Sequence, residues 1–249
     1  MRNYGLGFIS DEDLFAHVRD TVEKYRFSID LKRFNHNLID PIKLTFDSKV
    51  YGESLEGIIE KEIERQIDKS NTNHIGYFHQ NIFKYIGEDW KVPSSGFDLI
   101  NEKKKIYVEM KNKHNTMNSS SAEKTYKAMQ EMILRGADIT CLLVEVIAKK
   151  SQDIPWHIRL GGEVREHEKI RRVSIDKFYE RVTGESDSFK RLCEVLPTVL
   201  DDVMASADER KMDNSVFDEL QQLSPDLLKS LYLLSFGQYD GFGDFEYAG

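Results

Sequence analysis

The chain has 249 residues, 40% of them hydrophobic, with 35 Lys and Arg against 43 Asp and Glu and a formal net charge of -8. That length and apolar content suffice for a full core, so the chain needs no disulfide scaffold. Its two cysteines form no metal-binding pair and no apolar run is long enough to cross a bilayer; with no secretory hydrophobic region after Met1, a reduced, cytoplasmic protein is expected.

Charge is distributed unevenly. From Asp201 onward there are eleven acids against three Lys and Arg, so the first 200 residues are neutral overall. From Lys103 to Arg172 there are fifteen Lys and Arg against nine acids. A locally basic centre suits phosphate contact, whereas total charge governs solubility. No linker marks a division, so a single domain is expected over residues 1–249. Within it the sequence predicts a helical N-terminal part (about 1–90), an α/β core (about 91–185) and a helical, acidic C-terminal part (about 186–249).

Ser10 followed by Asp11, Glu12 and Asp13 caps a first helix whose apolar positions are Leu14, Val18, Val22 and Tyr25. Residues 27–51 read as less regular, with turns at Asn35-His36-Asn37 and Asp40-Pro41 and a brief alternation of Ile42, Leu44 and Phe46. Ser54 to Asp68 predicts a helix with Leu55, Ile58, Ile59, Ile63 and Ile67 on one face. A loop at residues 70–73 then precedes a further helix from Ile75 to Ile86, which carries Gly76, His79 and Gln80. A satisfied core or surface role is the commoner fate of such a His or Gln, but both could face the strands that follow. His74 and His79 lack a third ligand for zinc.

Gly96-Phe97-Asp98-Leu99-Ile100 and Lys105 to Lys111 are short, β-prone runs separated by Asn101-Glu102-Lys103-Lys104, which predicts a β-hairpin. Alternation sends Ile106, Val108 and Met110 to one face and Tyr107, Glu109 and Lys111 to the other. Asp98 on the neighbouring strand can reach Glu109. Two carboxylates one strand apart repel, which raises a proton affinity or recruits a divalent cation, and Lys111 beside that cation can orient or deprotonate water. These are parts for attack on a phosphodiester. Acid-x-Lys triplets recur elsewhere, as at Asp30, Asp47, Asp89, Glu102 and Glu209, so a surface ion-pair ladder is the competing reading.

Asn112, Lys113, His114, Asn115, Asn118 and Ser119 follow in a polar run that can donate to phosphate oxygens and base edges, or simply cap a helix over Ala122 to Arg135 through Ser120 or Ser121. That helix buries Tyr126, Met129, Met132 and Ile133. Thr140 to Ala148 reads as a central strand buried on both faces, interrupted by Glu145. Lys149, Lys150 and Gln152 at its exit, and Arg159 beyond, could reach a groove or form a solvated rim. Glu168 to Val173, with Arg171 and Arg172, reads as a strand before a helix capped by Ser174; Ser186 to Met204 predicts a helix broken or bent at Pro197. Cys141 and Cys193 are both expected to be buried. Leu227 to Phe236 is an apolar helix that needs a partner surface, within the domain or on another subunit.

At Gly96-Phe97-Asp98, Val108-Glu109-Met110-Lys111 and Asn112 to Thr116 the sequence resembles the P-D-(D/E)-x-K nuclease superfamily, and more closely type II restriction endonucleases that cut GGNCC-type palindromes. Residues 73–81, 148–152 and 171–179 share the likeness, which spans most of the chain from Phe8 to Phe236. The resemblance implies a restriction-endonuclease-like α/β fold with a central mixed sheet flanked by helices. It implies Mg2+ held by Asp98, Glu109 and the Met110 carbonyl, with Lys111 positioning water. It also implies cleavage of double-stranded DNA at a short GGNCC-like palindrome, a homodimer and a cognate DNA methyltransferase. Phe97 stands where the superfamily usually has proline, and Gln80 where many members carry a helical glutamate, so His79 and Gln80 are candidates only for support around the site. Guanine readers are sought among Lys113, Lys149, Lys150, Arg159, Arg171 and Arg172. The rivals are a repair or junction nuclease of the same fold and a non-catalytic DNA-binding protein.

Overall fold

The structure is a computed structural model describing residues 2–114, 116–136, 138–206, 213–239 and 242. In chain order it begins with helix α1 (Asp11–Lys24), strand β1 (Ser28–Ile29) and helices α2 (Leu31–Asn35), α3 (Pro41–Tyr51) and α4 (Leu55–Asn81). Strands β2 (Trp90–Lys91), β3 (Leu99–Asn101) and β4 (Ile106–Lys113), helix α5 (Ser119–Leu134) and strand β5 (Thr140–Ile147) follow. Next come β6 (Asp153–Pro155), β7 (Ile158–Leu160), β8 (Glu163–Arg165), β9 (Ile170–Ser174), α6 (Ile175–Thr183) and α7 (Ser188–Ala205). The last elements are β10 (Asp213–Asn214), α8 (Val216–Leu223) and α9 (Leu227–Phe236).

The chain divides into two compact units, Met1–Glu23 with Ile75–Ala207, and Lys24–His74 with Asp208–Gly249. The first contains a six-stranded sheet in the order β2-β3-β4-β5-β9-β6. Its centre, β4-β5-β9, is parallel, while β2, β3 and β6 add antiparallel edges. The parallel pairs require crossovers, and α5 supplies the one between β4 and β5. This is the mixed, helix-flanked sheet expected from the sequence.

Alternation along β4 divides the core of this unit. Ile106, Val108 and Met110 join Leu142, Val144 and Val173 in a cluster with residues of α1, α6 and α7. Tyr107 faces the other way, with Cys141, Leu143 and Ile170, under Tyr126 and Met129 of α5. Burying apolar side chains on both faces at ~25 cal/mol per Å2 makes the sheet a stiff platform for its polar positions. The second unit has its own core, in which Ile58, Ile59, Ile63 and Ile67 of α4 meet Leu227 and Leu231 of α9. The apolar α9 thus has its partner surface inside the chain.

Several local expectations are corrected. Asp40-Pro41 is not a turn: Asp40 caps α3 by accepting from the Lys43 main chain at 3.1 Å, and Pro41 takes the first helical position. Residues 70–73 are not a loop but part of α4, which ends in a single 3-10 turn over Ile82–Lys84. Their polar side chains cost a helix only about half a kcal/mol each, less than the anchoring of Ile67 and Phe78 in their separate cores supplies. Helix α5 starts at Ser119 because Asn118, not Ser120 or Ser121, is its cap, accepting from the Ser121 nitrogen at 2.8 Å. Helix α7 runs unbroken through Pro197, the lost N–H offset by burial of Leu192, Val199 and Val203. Cys141 is buried, whereas Cys193 is exposed on α7. The β7–β8 hairpin turns at Gly161 and Gly162, both with positive φ, a signal the sequence reading passed over. The final glycine- and aromatic-rich stretch lies almost wholly outside the described residues.

Candidate active site

Strands β3 and β4 pair with Leu99 opposite Val108 and Ile100 opposite Tyr107. Asp98, one residue before β3, therefore lies beside Glu109 and Met110. Its Oδ2 accepts the Met110 main-chain N–H at 2.8 Å. That bond fixes the carboxylate without consuming its other oxygen.

Glu109 and Lys111 project from the α5 side of β4, two residues apart on one face. Lys111 Nζ lies 2.5 Å from Glu109 Oε1, and the two side chains are 29% and 20% exposed, so solvent still reaches both. Burial raises the proton affinity of Glu109, the hydrogen bond from Lys111 pulls it back, and the Asp98 charge pushes it up again; the net shift is upward. The pair of acids is thus electrostatically coupled, and a bound cation would relieve that repulsion.

Glu109 and Lys111 open onto a cleft of about 730 Å3 lined also by Gly96, Phe97, Thr116, Met117 and one face of α5; Asp98 is not part of that lining. Phe97 packs on Tyr107 with ring centroids 5.4 Å apart and forms an apolar side of the site. The α5 residues are Ser121, Lys124, Thr125 and Ala128. Lys124 and Thr125 were missed in the sequence reading, although the spacing 121, 124, 125, 128 marks one helix face, beside the buried stripe of Tyr126, Met129 and Ile133. Lys124 is exposed and, among the described residues, has no carboxylate partner, so the cleft holds a second ammonium group.

The other candidates are dispersed. Asn112 lies on β4 where the chain approaches α4: a Cβ on Gly76 would come 3.3 Å from Asn112 Nδ2. Lys113 is exposed at the strand end. Asn115 lies outside the described residues. Asn118 and Ser119 form the cap and first residue of α5. Lys149 and Lys150 are exposed after β5, Gln152 is half-buried with its main-chain nitrogen bonded to Ser174, and Arg159 is exposed on β7. His79 and Gln80 are half-buried in the last turn of α4 and do not line the cleft.

Three of the candidates are engaged inside the sheet. Arg171 binds Asp153 through Nε at 2.5 Å and through Nη2 to its carbonyl at 2.6 Å. Arg172 binds Glu145, 3.0 Å from Nε to Oε2, and its Nη2 lies 2.8 Å from His114 Nδ1. Glu145 itself is 1% exposed and stands opposite Lys111 in the β4–β5 register. Burial pushes its carboxyl up, but Arg172 and His114 together bring it below the usual range. Glu145 and its two half-buried partners flank β4 on the same face as Glu109 and Lys111.

Among the described residues no group of three or more His, Cys, Asp or Glu side chains is disposed to hold a metal. Asp98 and Glu109 nevertheless fit Mg2+, which commonly takes one or two carboxylates and completes its shell with water, carbonyl and phosphate oxygens.

The family model described as Eco47II restriction endonuclease matches residues 6–205. The chain is 32% identical over 235 residues to the type II restriction enzyme Sau96I of Staphylococcus aureus, covering 89% of this chain and 90% of that one. It is also 32% identical over 213 residues to the type II restriction enzyme Eco47II of Escherichia coli, covering 80% and 88% respectively.

Proposed function

The chain belongs to the Eco47II restriction endonuclease family and is a site-specific deoxyribonuclease, and on that premise we propose that Asp98, Glu109 and Lys111 form its active site, that Mg2+ is its cofactor and that it cuts a GGNCC-like palindrome. The observation that carries the site assignment is that Glu109 and Lys111 pair at the edge of one open cleft while Asp98, hydrogen-bonded to the main chain between them, adds its charge to Glu109.

Asp98 and Glu109 would hold Mg2+, with the Met110 carbonyl as a further ligand. The ion supplies Lewis-acid polarisation of the phosphate and a more acidic water. Lys111, already 2.5 Å from Glu109, orients the attacking water and offsets negative charge building on the phosphate. Water oxygen bonds to phosphorus as the bond to O3′ breaks, leaving a 5′-phosphate and a 3′-hydroxyl once O3′ takes a proton. Lys124 and Thr125 face the same space and suit contact with the backbone phosphates. Lys113, Lys149, Lys150 and Arg159 are the exposed candidates for reading guanine or phosphate, while Asn112, His114, Asn115, Asn118, Ser119 and Gln152 remain candidate DNA contacts.

The enzyme acts as a homodimer in this reading, because one site cuts one strand and two-fold symmetry matches a palindrome. Leu38, Ile42, Phe46 and Val50, spaced by four and all exposed at 50% or more, support an interface between copies. It works in the cytoplasm beside a methyltransferase that protects host DNA; no helix of the described residues is long and apolar enough to cross a membrane. Digestion of a mapped plasmid with Mg2+, followed by sequencing of the ends, tests all of this chemistry: discrete fragments with GGNCC-like termini are expected. A smear, or cleavage directed to branched DNA, would overturn it. Full activity in Glu109→Ala and Lys111→Ala would overturn the site.

A further inference from the structure

The second compact unit contains a cleft of about 590 Å3 that the cleavage chemistry does not use. Arg26, Lys32, Arg33 and Lys69 line it, with Asp30 as the acid among them. Residues 24–74 hold nine Lys and Arg and nine Asp and Glu, so this four-to-one grouping is not a consequence of composition. Three other cations of the same unit are neutralised locally, Lys43 by Asp47, Lys61 by Glu53 and Arg65 by Glu62, whereas Lys24 and Lys49 have no ion pair among the described residues. Among the described residues, none of the four cleft cations has a side-chain hydrogen bond or ion pair. Asp30 is occupied as the cap of α2, accepting from the Arg33 main chain at 2.7 Å.

The cleft has a fixed floor. Gln66, 2% exposed, donates to the Phe34 carbonyl at 3.1 Å and to Glu62 at 3.0 Å, and accepts from Asn37 at 2.9 Å. Arg26 is half-buried, its main-chain nitrogen is held by Asn71 at 2.8 Å, and its guanidinium has no counter-charge among the described residues. An incoming anion would satisfy it with charge-assisted hydrogen bonds. The four cations stand on three separate segments, the stretch before β1, α2 and α4, which exceeds what one small anion engages and suits a chain of phosphates.

We propose that this cleft binds the backbone phosphates of duplex DNA, a contact separate from the cleavage cleft. The proposal rests on the reading of the chain as a DNA-cutting enzyme. It predicts a sequence-independent contribution to binding, because phosphate contacts position DNA without reading bases.

The test measures binding of the full-length protein to a labelled duplex in EDTA, across a salt series, so that no cleavage occurs. Lys32→Gln/Arg33→Gln/Lys69→Gln changes three exposed cations and spares the half-buried Arg26. The control, Lys43→Gln/Lys61→Gln/Arg65→Gln, removes the same charge from the same unit at locally paired positions. The cleft variant is expected to reduce the slope of log K against log salt by about 2 to 3 and to weaken binding roughly ten- to a hundredfold at physiological salt. The control should keep the wild-type slope within about one-half. Equal slopes and affinities in the two variants would overturn the proposal, as would a wild type that binds no duplex. So would protection of the wild type against heat by inorganic phosphate, lost in the cleft variant while the DNA slopes coincide, since the cleft would then hold free phosphate. The active-site assignment is read separately, on cut ends with Mg2+, so either result can fail alone.

Discussion

The Asp98 carboxylate accepts the main-chain N–H of Met110 at 2.8 Å, tying the acid before β3 to the backbone between Glu109 and Lys111. One bond therefore sets the spacing of the acids and the rotamer of the first. Asp98→Ala should lower kcat at least about a hundredfold, since a bound metal contributes several kcal/mol to the transition state. Asp98→Asn should keep the fold, with an unchanged melting profile, while losing metal affinity by calorimetry. Normal Mg2+ binding in Asp98→Asn would remove Asp98 from the ligand set.

Glu109 has a raised proton affinity, chiefly from burial, with Asp98 adding to it. The group must be ionised to take a cation. Activity should thus fall on the acid side at a higher pH than an ordinary glutamate would give. Proton and metal compete, so a tenfold increase in Mg2+ should move that limb toward acid by up to about one pH unit. Profiles of kcat/KM at two Mg2+ concentrations decide this, and superimposable acid limbs would contradict it.

Glu145 is buried opposite Lys111 and satisfied by Arg172 and His114. Arg172→Ala strands that charge and should cost about 3–5 kcal/mol of stability, read as a drop in denaturation midpoint. The carboxyl of Glu145 is lowered in the folded protein despite burial, so its contribution is present above the unfolded value and is lost as pH falls through the folded one. Arg172→Ala should abolish that acid-side loss; a variant as stable as the wild type would show the triad to be dispensable.

His79 is depressed from 6.5 to about 4, first by burial and then by His17. Its Nδ1 is buried without a hydrogen-bond partner among the described residues. Between these two values the unfolded chain binds a proton that the folded one refuses, so stability should fall on acidification through that window. The full loss is about 3 kcal/mol. His79→Leu should flatten this part of the stability profile, which urea denaturation at a series of pH values measures. An unchanged slope would mean that His79 is hydrated in solution.

Much of this was decided within short stretches of sequence. Alternation in Ile106 to Lys111 and the polar break at residues 101–104 dictated a hairpin with Asp98 beside Glu109, because strand period and turn chemistry are local. The cap at Ser10 and the apolar run at Thr140 were equally legible. Glu145 was visible as a charge within that run, but its partners Arg172 and His114 lie 27 and 31 positions later and earlier and meet it only through parallel pairing. Polar residues 70–73 became helix because the turns on either side were anchored in cores that no local window contains. Arg171 and Arg172 read as candidate DNA contacts, and only the fold shows their ion pairs with Asp153 and Glu145, while Lys124 and the Arg26 cleft came into view only once helices were placed. Local stereochemistry fixed which groups share a face; the choice of which charges remain unneutralised depended on packing between distant segments, and only the tertiary structure made it.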